Sequence, residues 1–187
     1  MNIQYQMKLA GWLSILSSVI AIPMLLLAII DGIYHDQYPF LGYVDAFITL
    51  SYSIIFVFIF FSFRKLLNVK ANIKAADQVI NLIIVATYIS IGLSIASIIF
   101  PEMTGTLAIL EILLMVGYGL FYLYLGRTIL RCDNELYGYR KYVAWLGIIE
   151  GACYLTIVLF PIAVLVSVVS GIITAKMFFA STCETGN

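Results

Sequence analysis

Apolar blocks of 18 or more residues follow one another along this chain, separated by short segments that hold nearly all of its charge. A helix rising about 1.5 Å per residue crosses a hydrocarbon layer of about 30 Å in roughly 20 residues, so this pattern commits the chain to a bilayer. A transmembrane barrel would show alternating segments of about ten residues instead, and none is present. The fold class is therefore all-α, a polytopic integral membrane protein with short loops and no soluble domain. Composition agrees, with 63% hydrophobic and 11% charged residues among 187, against about half and a quarter in soluble domains.

The blocks predict six transmembrane helices, near 9–30, 40–63, 78–100, 104–126, 142–160 and 162–179. Tight turns are expected at Pro101 and Pro161. The first block is too long for the core of a cleavable signal and has no small-residue exit, so it is expected to stay as the first span. The stretch 142–179 admits two readings, a hairpin turning at Pro161 or one long helix kinked there. A single helix would run to about 57 Å at the usual rise and overshoot a bilayer, so the hairpin is favoured.

Under six spans, all ten Lys and Arg residues fall on one side: Lys8, then Arg64, Lys65, Lys70 and Lys74, then Arg127, Arg131, Arg140 and Lys141, then Lys176. Basic loops stay in the cytoplasm, which puts both termini inside and places the chain in the cell membrane. The other side carries Asp31, Asp36, Asp45 and Glu102. Tyr5 and Trp12 at the first span, and Tyr137, Tyr139, Tyr142 and Trp145 at the fifth, suit the headgroup boundary. Lys8 to Ile15 resembles Lys141 to Ile148, but a Lys and a Trp are what any span opening on the inside tends to carry.

Lipid tails are as apolar as Leu, so spans associate where small residues let backbones approach. The sixth span has such a ladder in Ala163, Ser167, Gly171 and Ala175. The fifth has Gly147 and Gly151, the third Ala86, Ser90 and Ser94, and the first Ala10, Ser14 and Ser18. These faces are expected at seams within the bundle. The second span, rich in Phe and Ile from Ile54 to Phe63, is expected to face lipid or a partner.

Two carboxyls lie inside apolar blocks, Glu111 about two turns into the fourth span and Glu150 about as deep in the fifth. Ionised groups there are costly unless paired or wetted, so both are expected to be neutral or to face the bundle interior. Helical spacing places Met115, Tyr118 and Tyr122 on the face of Glu111, and Gly147 and Tyr154 beside Glu150. Such a set can pass protons or hold a cation, although an acid satisfied by an interhelical hydrogen bond is the simpler expectation. Asp31, His35, Asp36 and Asp45 read as a solvated loop rather than a metal site, and Asp77 as the cap of the third span.

Other chemistry lacks its residues. One His cannot supply a bis-histidine haem, no nucleophile has a His at a suitable depth, and Cys132, Cys153 and Cys183 form no paired motif. No phosphate-binding glycine loop is present, since Gly117 and Gly119 lie inside a span. No cofactor, metal or enzymatic activity is expected. The basic loops suit anionic headgroups, so the expected partners are the bilayer and another membrane protein or a second copy, not nucleic acid. In size, span number and cytoplasmic termini the chain is similar to substrate-binding subunits of energy-coupling-factor transporters, a likeness of architecture that rests on no motif. Two functions follow: an accessory or assembly subunit working through helix-helix contacts, or a small carrier or channel-like transporter using Glu111 and Glu150.

Overall fold

A computed structural model describes residues 3–34, 40–71, 74–132, 136–156 and 159–183. Among these, six α-helices are joined by short turns: α1 Ile3–Tyr34, α2 Phe40–Leu66, α3 Ala75–Ile99, α4 Thr104–Leu130, α5 Arg140–Leu155 and α6 Phe160–Cys183. Five of them, all but α5, are long and apolar enough to cross a membrane. At 16 residues, α5 spans about 24 Å and is the short member.

Several helix ends depart from the sequence blocks, and α5 stops at Leu155, five residues short of its block. α1 begins at Ile3, six residues before the first block, and α4 runs on to Leu130, so that Arg127 lies in its last turn rather than in a loop. Pro161 is not the turn between α5 and α6. It sits in the first turn of α6, where a missing N–H costs no helical bond, and the chain reverses before it. Thr156 ends α5 with its hydroxyl bonded to the Cys153 carbonyl, 3.0 Å away. The 3-10 turn Leu136–Gly138, just before α5, touches α6, which is possible only if α6 folds back along α5.

Each helix packs chiefly against its neighbours in sequence, and α6 closes the set by packing on α1. The result is a ring of six helices with no member at its centre. Adjacent helices are antiparallel: Gly126 meets Ala144 and Ile148 while Gly119 meets Gly151 and Leu155, and Gly11 meets Phe179 while Gly171 meets Ser14 and Ser18.

Those two seams, α4 with α5 and α1 with α6, are the most extensive in the ring. Both are lined by small residues. A Cβ added at Gly151 would stand 2.6 Å from the Gly119 carbonyl oxygen and 2.8 Å from the Leu123 nitrogen, and one at Gly126 would stand 2.6 Å from the Ala144 oxygen. A Cβ at Gly171 would collide with Ser18 Oγ. Ala10, Ala163 and Ala175 are buried. In lipid this backbone proximity, with the dispersion contacts it permits, supplies the attraction that water would otherwise drive.

The second span faces outward on one side only, through Ile54 and Phe61. Val57, Ile59, Phe60, Ser62 and Phe63 are buried, because bulky rings fill the interior between helices that do not approach closely. Nor does Asp77 cap α3, whose N-cap Lys74 has no side-chain cap bond. Asp77 accepts from Arg64 Nε at 3.2 Å and from Asn68 Nδ2 at 2.8 and 2.9 Å, tying the end of α2 to the start of α3. Lys65 Nζ donates to Gln6 Oε1 at 2.9 Å, tying α2 to α1. The antiparallel order thus gathers the basic residues at one end of the ring.

Packing is uneven along the ring axis. Met7, Phe63, Leu66, Leu67, Ile80, Ile129, Leu136, Met177 and Phe178 belong to one buried cluster at the basic end. Among the described residues of the opposite half few side chains are buried, Leu107, Cys153 and Ala163 among them. Leu136 and Tyr137 take positive φ of 46° and 60°, ahead of Gly138 at 84°. This left-handed backbone is unfavourable for residues with a Cβ, and it persists here with Leu136 locked into the core.

The seam geometry separates two glycines on one face. A Cβ at Gly147 would find its nearest neighbour, the Tyr122 carbonyl oxygen, at an ordinary 3.7 Å. Gly151→Ala should therefore destabilise the protein by about 1–3 kcal/mol through overpacking, while Gly147→Ala should change it by less than about 0.5 kcal/mol. Thermal unfolding of the two variants in detergent checks the difference.

Candidate functional site

A helix ring without a hub leaves a lumen. In this protein it is a cavity of about 460 Å³ lined by all six helices, a size that suits a small organic ligand. α2 contributes Thr49, Tyr52, Ser53 and Phe60, α3 Thr87, Ser90 and Ser94, and α4 Glu111, Tyr118 and Tyr122. α5 contributes Gly147, Glu150 and Tyr154, α6 Ser167, Ser170, Gly171 and Thr174, and α1 Ser14 and Ser17.

All four residues singled out as a polar site, Glu111, Glu150, Tyr118 and Tyr154, line this one cavity. They differ in setting. Glu111 is exposed and stands toward the end away from the basic residues, whereas Glu150 is only 3% exposed. Tyr52, Tyr122 and Tyr154 lie within electrostatic range of the Glu150 carboxyl. Among the described residues no hydrogen-bond donor reaches that carboxyl, so none of them makes the interhelical bond expected for it. Tyr118 does have a partner: its hydroxyl donates to Thr87 Oγ1 at 2.9 Å, and Thr87 donates in turn to the Ile83 carbonyl at 2.9 Å.

Aromatic rings run across the lumen in a chain. Phe56 and Phe60 are 4.6 Å apart between centroids, Phe60 and Tyr122 6.1 Å, Tyr122 and Tyr154 6.0 Å, and Tyr154 and Phe160 6.2 Å. Four helices, α2, α4, α5 and α6, supply these rings, with Glu150 one turn before Tyr154 on α5. Toward the basic end the lining becomes apolar and buried, with Phe63, Leu125, Ile129 and Val143.

Ser90 and Ser94, expected at a helix seam, lie on the cavity wall instead, and Ser167 and Gly171 belong to both wall and seam neighbourhood. Tyr52 and Thr49 escaped sequence reasoning, because α2 shows a near-continuous apolar run with no charge to mark an inner face. Gly119 and Gly126 were missed as packing residues. Their spacing of seven places them on one helix face, a signal that a search for four-residue ladders passes over. His35 and Asp36 lie outside the described residues, as do the side chains of Asp31 and Asp45.

No known protein family, curated protein or solved structure matches the chain.

The Tyr118–Thr87 bond joins α3 to α4 across the cavity wall. Tyr118→Phe should lower stability by about 0.5–1.5 kcal/mol, the net worth of a buried neutral hydrogen bond, without changing oligomeric state. Thermal unfolding together with elution volume in detergent measures both.

Proposed function

We propose that this chain is a small carrier of the cell membrane, crossing it six times with both termini in the cytoplasm and binding its solute in the lumen. The observation that carries the reading is the lumen itself: one cavity, lined by all six helices, holding both intramembrane carboxyls. A buried carboxyl is costly in a membrane protein unless something requires it. Glu150 stands where a solute would meet it.

The orientation rests on the charge pattern. Basic residues gather at one end of the ring, and their retention in the cytoplasm makes that end the inner one. The lumen is then closed to the cytoplasm by Phe63, Leu125, Ile129 and Val143, with Glu111 toward its outer mouth. A carrier exchanges this arrangement for one open to the inside, and no enzymatic step is part of the reading. An accessory subunit acting through its small residues has less support. Gly147, Gly151, Ala163, Ser167, Gly171 and Ala175 are turned toward seams and lumen within the bundle and offer no outward face to a partner.

Accessibility tests the reading. Ser170→Cys places a thiol midway along the lumen in a chain whose three native cysteines are replaced by Ser. An impermeant maleimide should label it from outside in whole cells and from the cytoplasmic face in inside-out vesicles. Labelling from the outer face alone would mark a fixed binding vestibule, and labelling from neither face would remove the lumen from consideration.

A further inference from the structure

We infer that the lumen takes an organic cation, an amine or quaternary ammonium with apolar substituents, its charge set against Glu150 and its body against the aromatic chain. This deepens the carrier reading and rests on it.

Charge is the first ground. Among the described residues lining the cavity there are two glutamates and no Lys, Arg or His. Glu150 is buried, faces the cavity, and receives no hydrogen bond from any described residue. A carboxyl removed from water stays neutral unless a positive charge stands beside it; no basic residue lies at that depth, so a cationic solute would be the group that lets Glu150 ionise. An anionic solute would add repulsion to desolvation.

Hydrogen-bonding capacity is the second ground. Several wall hydroxyls have already given their hydrogen away within their own helices: Ser14 Oγ to the Ala10 carbonyl at 2.8 Å, Ser17 Oγ to that of Ser14 at 2.9 Å, and Ser167 Oγ to that of Val164 at 2.8 Å. Thr87 does the same, and Tyr118 donates to Thr87. What these groups turn to the lumen is oxygen lone pairs. Their lone pairs can meet an ammonium N–H, while other wall hydroxyls, those of Tyr52, Tyr122 and Tyr154 among them, keep a hydrogen that can turn to the Glu150 carboxyl.

The third ground separates an organic cation from a bare metal ion. Ca²⁺ gathers about six to eight oxygen ligands and Mg²⁺ an octahedron, and among the described residues no group of three acidic, His or Cys side chains is placed to hold a metal. The wall instead offers aromatic rings, Tyr122 and Tyr154 near the carboxyl and Phe60 and Phe160 next to them along the chain of rings. Aromatic faces attract ammonium groups through the ring quadrupole, most strongly when water is excluded. The volume of about 460 Å³ leaves room for the substituents.

Two lipophilic ions of matched shape and opposite charge provide the test. Binding of tetraphenylphosphonium and of tetraphenylborate to the purified full chain in detergent is measured above protein-free micelles. The unaltered chain should bind the cation at least about ten-fold more tightly, and Glu150→Gln should weaken cation binding about ten-fold or more, as expected for loss of a desolvated charge partner. Tyr154→Leu should weaken it about three-fold or more, and Glu102→Gln, outside the lumen, should leave it unchanged. Should Glu150→Gln fail to fold, the cation-to-anion ratio of the unaltered chain decides. Equal binding of the two ions, or no binding of the cation, overturns the inference. If position 170 still labels from both faces in that case, the carrier reading stands and only the solute class falls. If position 170 labels from neither face, the carrier reading falls as well.

Discussion

Helices surrounded by hydrocarbon gain nothing by hiding apolar side chains from one another, and this protein is held together where its backbones touch. The two seams that do most of this, α4 against α5 and α1 against α6, are built from glycine, alanine and serine. Their registers are set by residues with no room for a Cβ, Gly126 and Gly151 above all. Once those pairs are fixed, α2 and α3 complete the ring with larger side chains, and the hole in the middle follows from the geometry of six helices arranged around no core helix.

That hole is not uniformly lined, and the lack of symmetry carries the functional reading. Phe63, Leu125, Ile129 and Val143 line it at the basic end, while the hydroxyls, phenols and two carboxyls lie in the rest, interspersed with Phe56, Leu114, Met115 and Phe160. Such a gradient is what the carrier reading draws on, since a permanently wet pore is polar along its whole length. The apolar plug at one end also lowers the local dielectric near Glu150, which strengthens any charge brought beside it.

Much of the fold was legible in the residues. Lengths of apolar sequence between charges set the six helices to within a few residues at most ends, because the thickness of hydrocarbon and the rise of a helix leave little freedom. Glu150 was legible for a related reason: a carboxyl in such a block is conspicuous. The order of helices around the ring was not, since a span apolar on every side has no amphipathic stripe to say which face looks inward. Hence α2 was assigned to lipid or a partner, whereas its Phe60 and Phe63 are core. Pro161 misled in a different way. Proline marks the neighbourhood of a helix boundary but suits the first turn of the next helix as well as the turn before it, and here it opens α6.

The seams of the ring are unequal, with α2 against α3 the sparsest and clasped at the basic end by Arg64, Asp77 and Asn81. A hoop of rods with unequal joints does not breathe evenly. Thermal distortion collects at its softest joint, and a clasp at one end turns that distortion into a wedge-shaped parting of the wall, widest far from the clasp. The compliance of the wall therefore lies in the half of the molecule that holds Glu111.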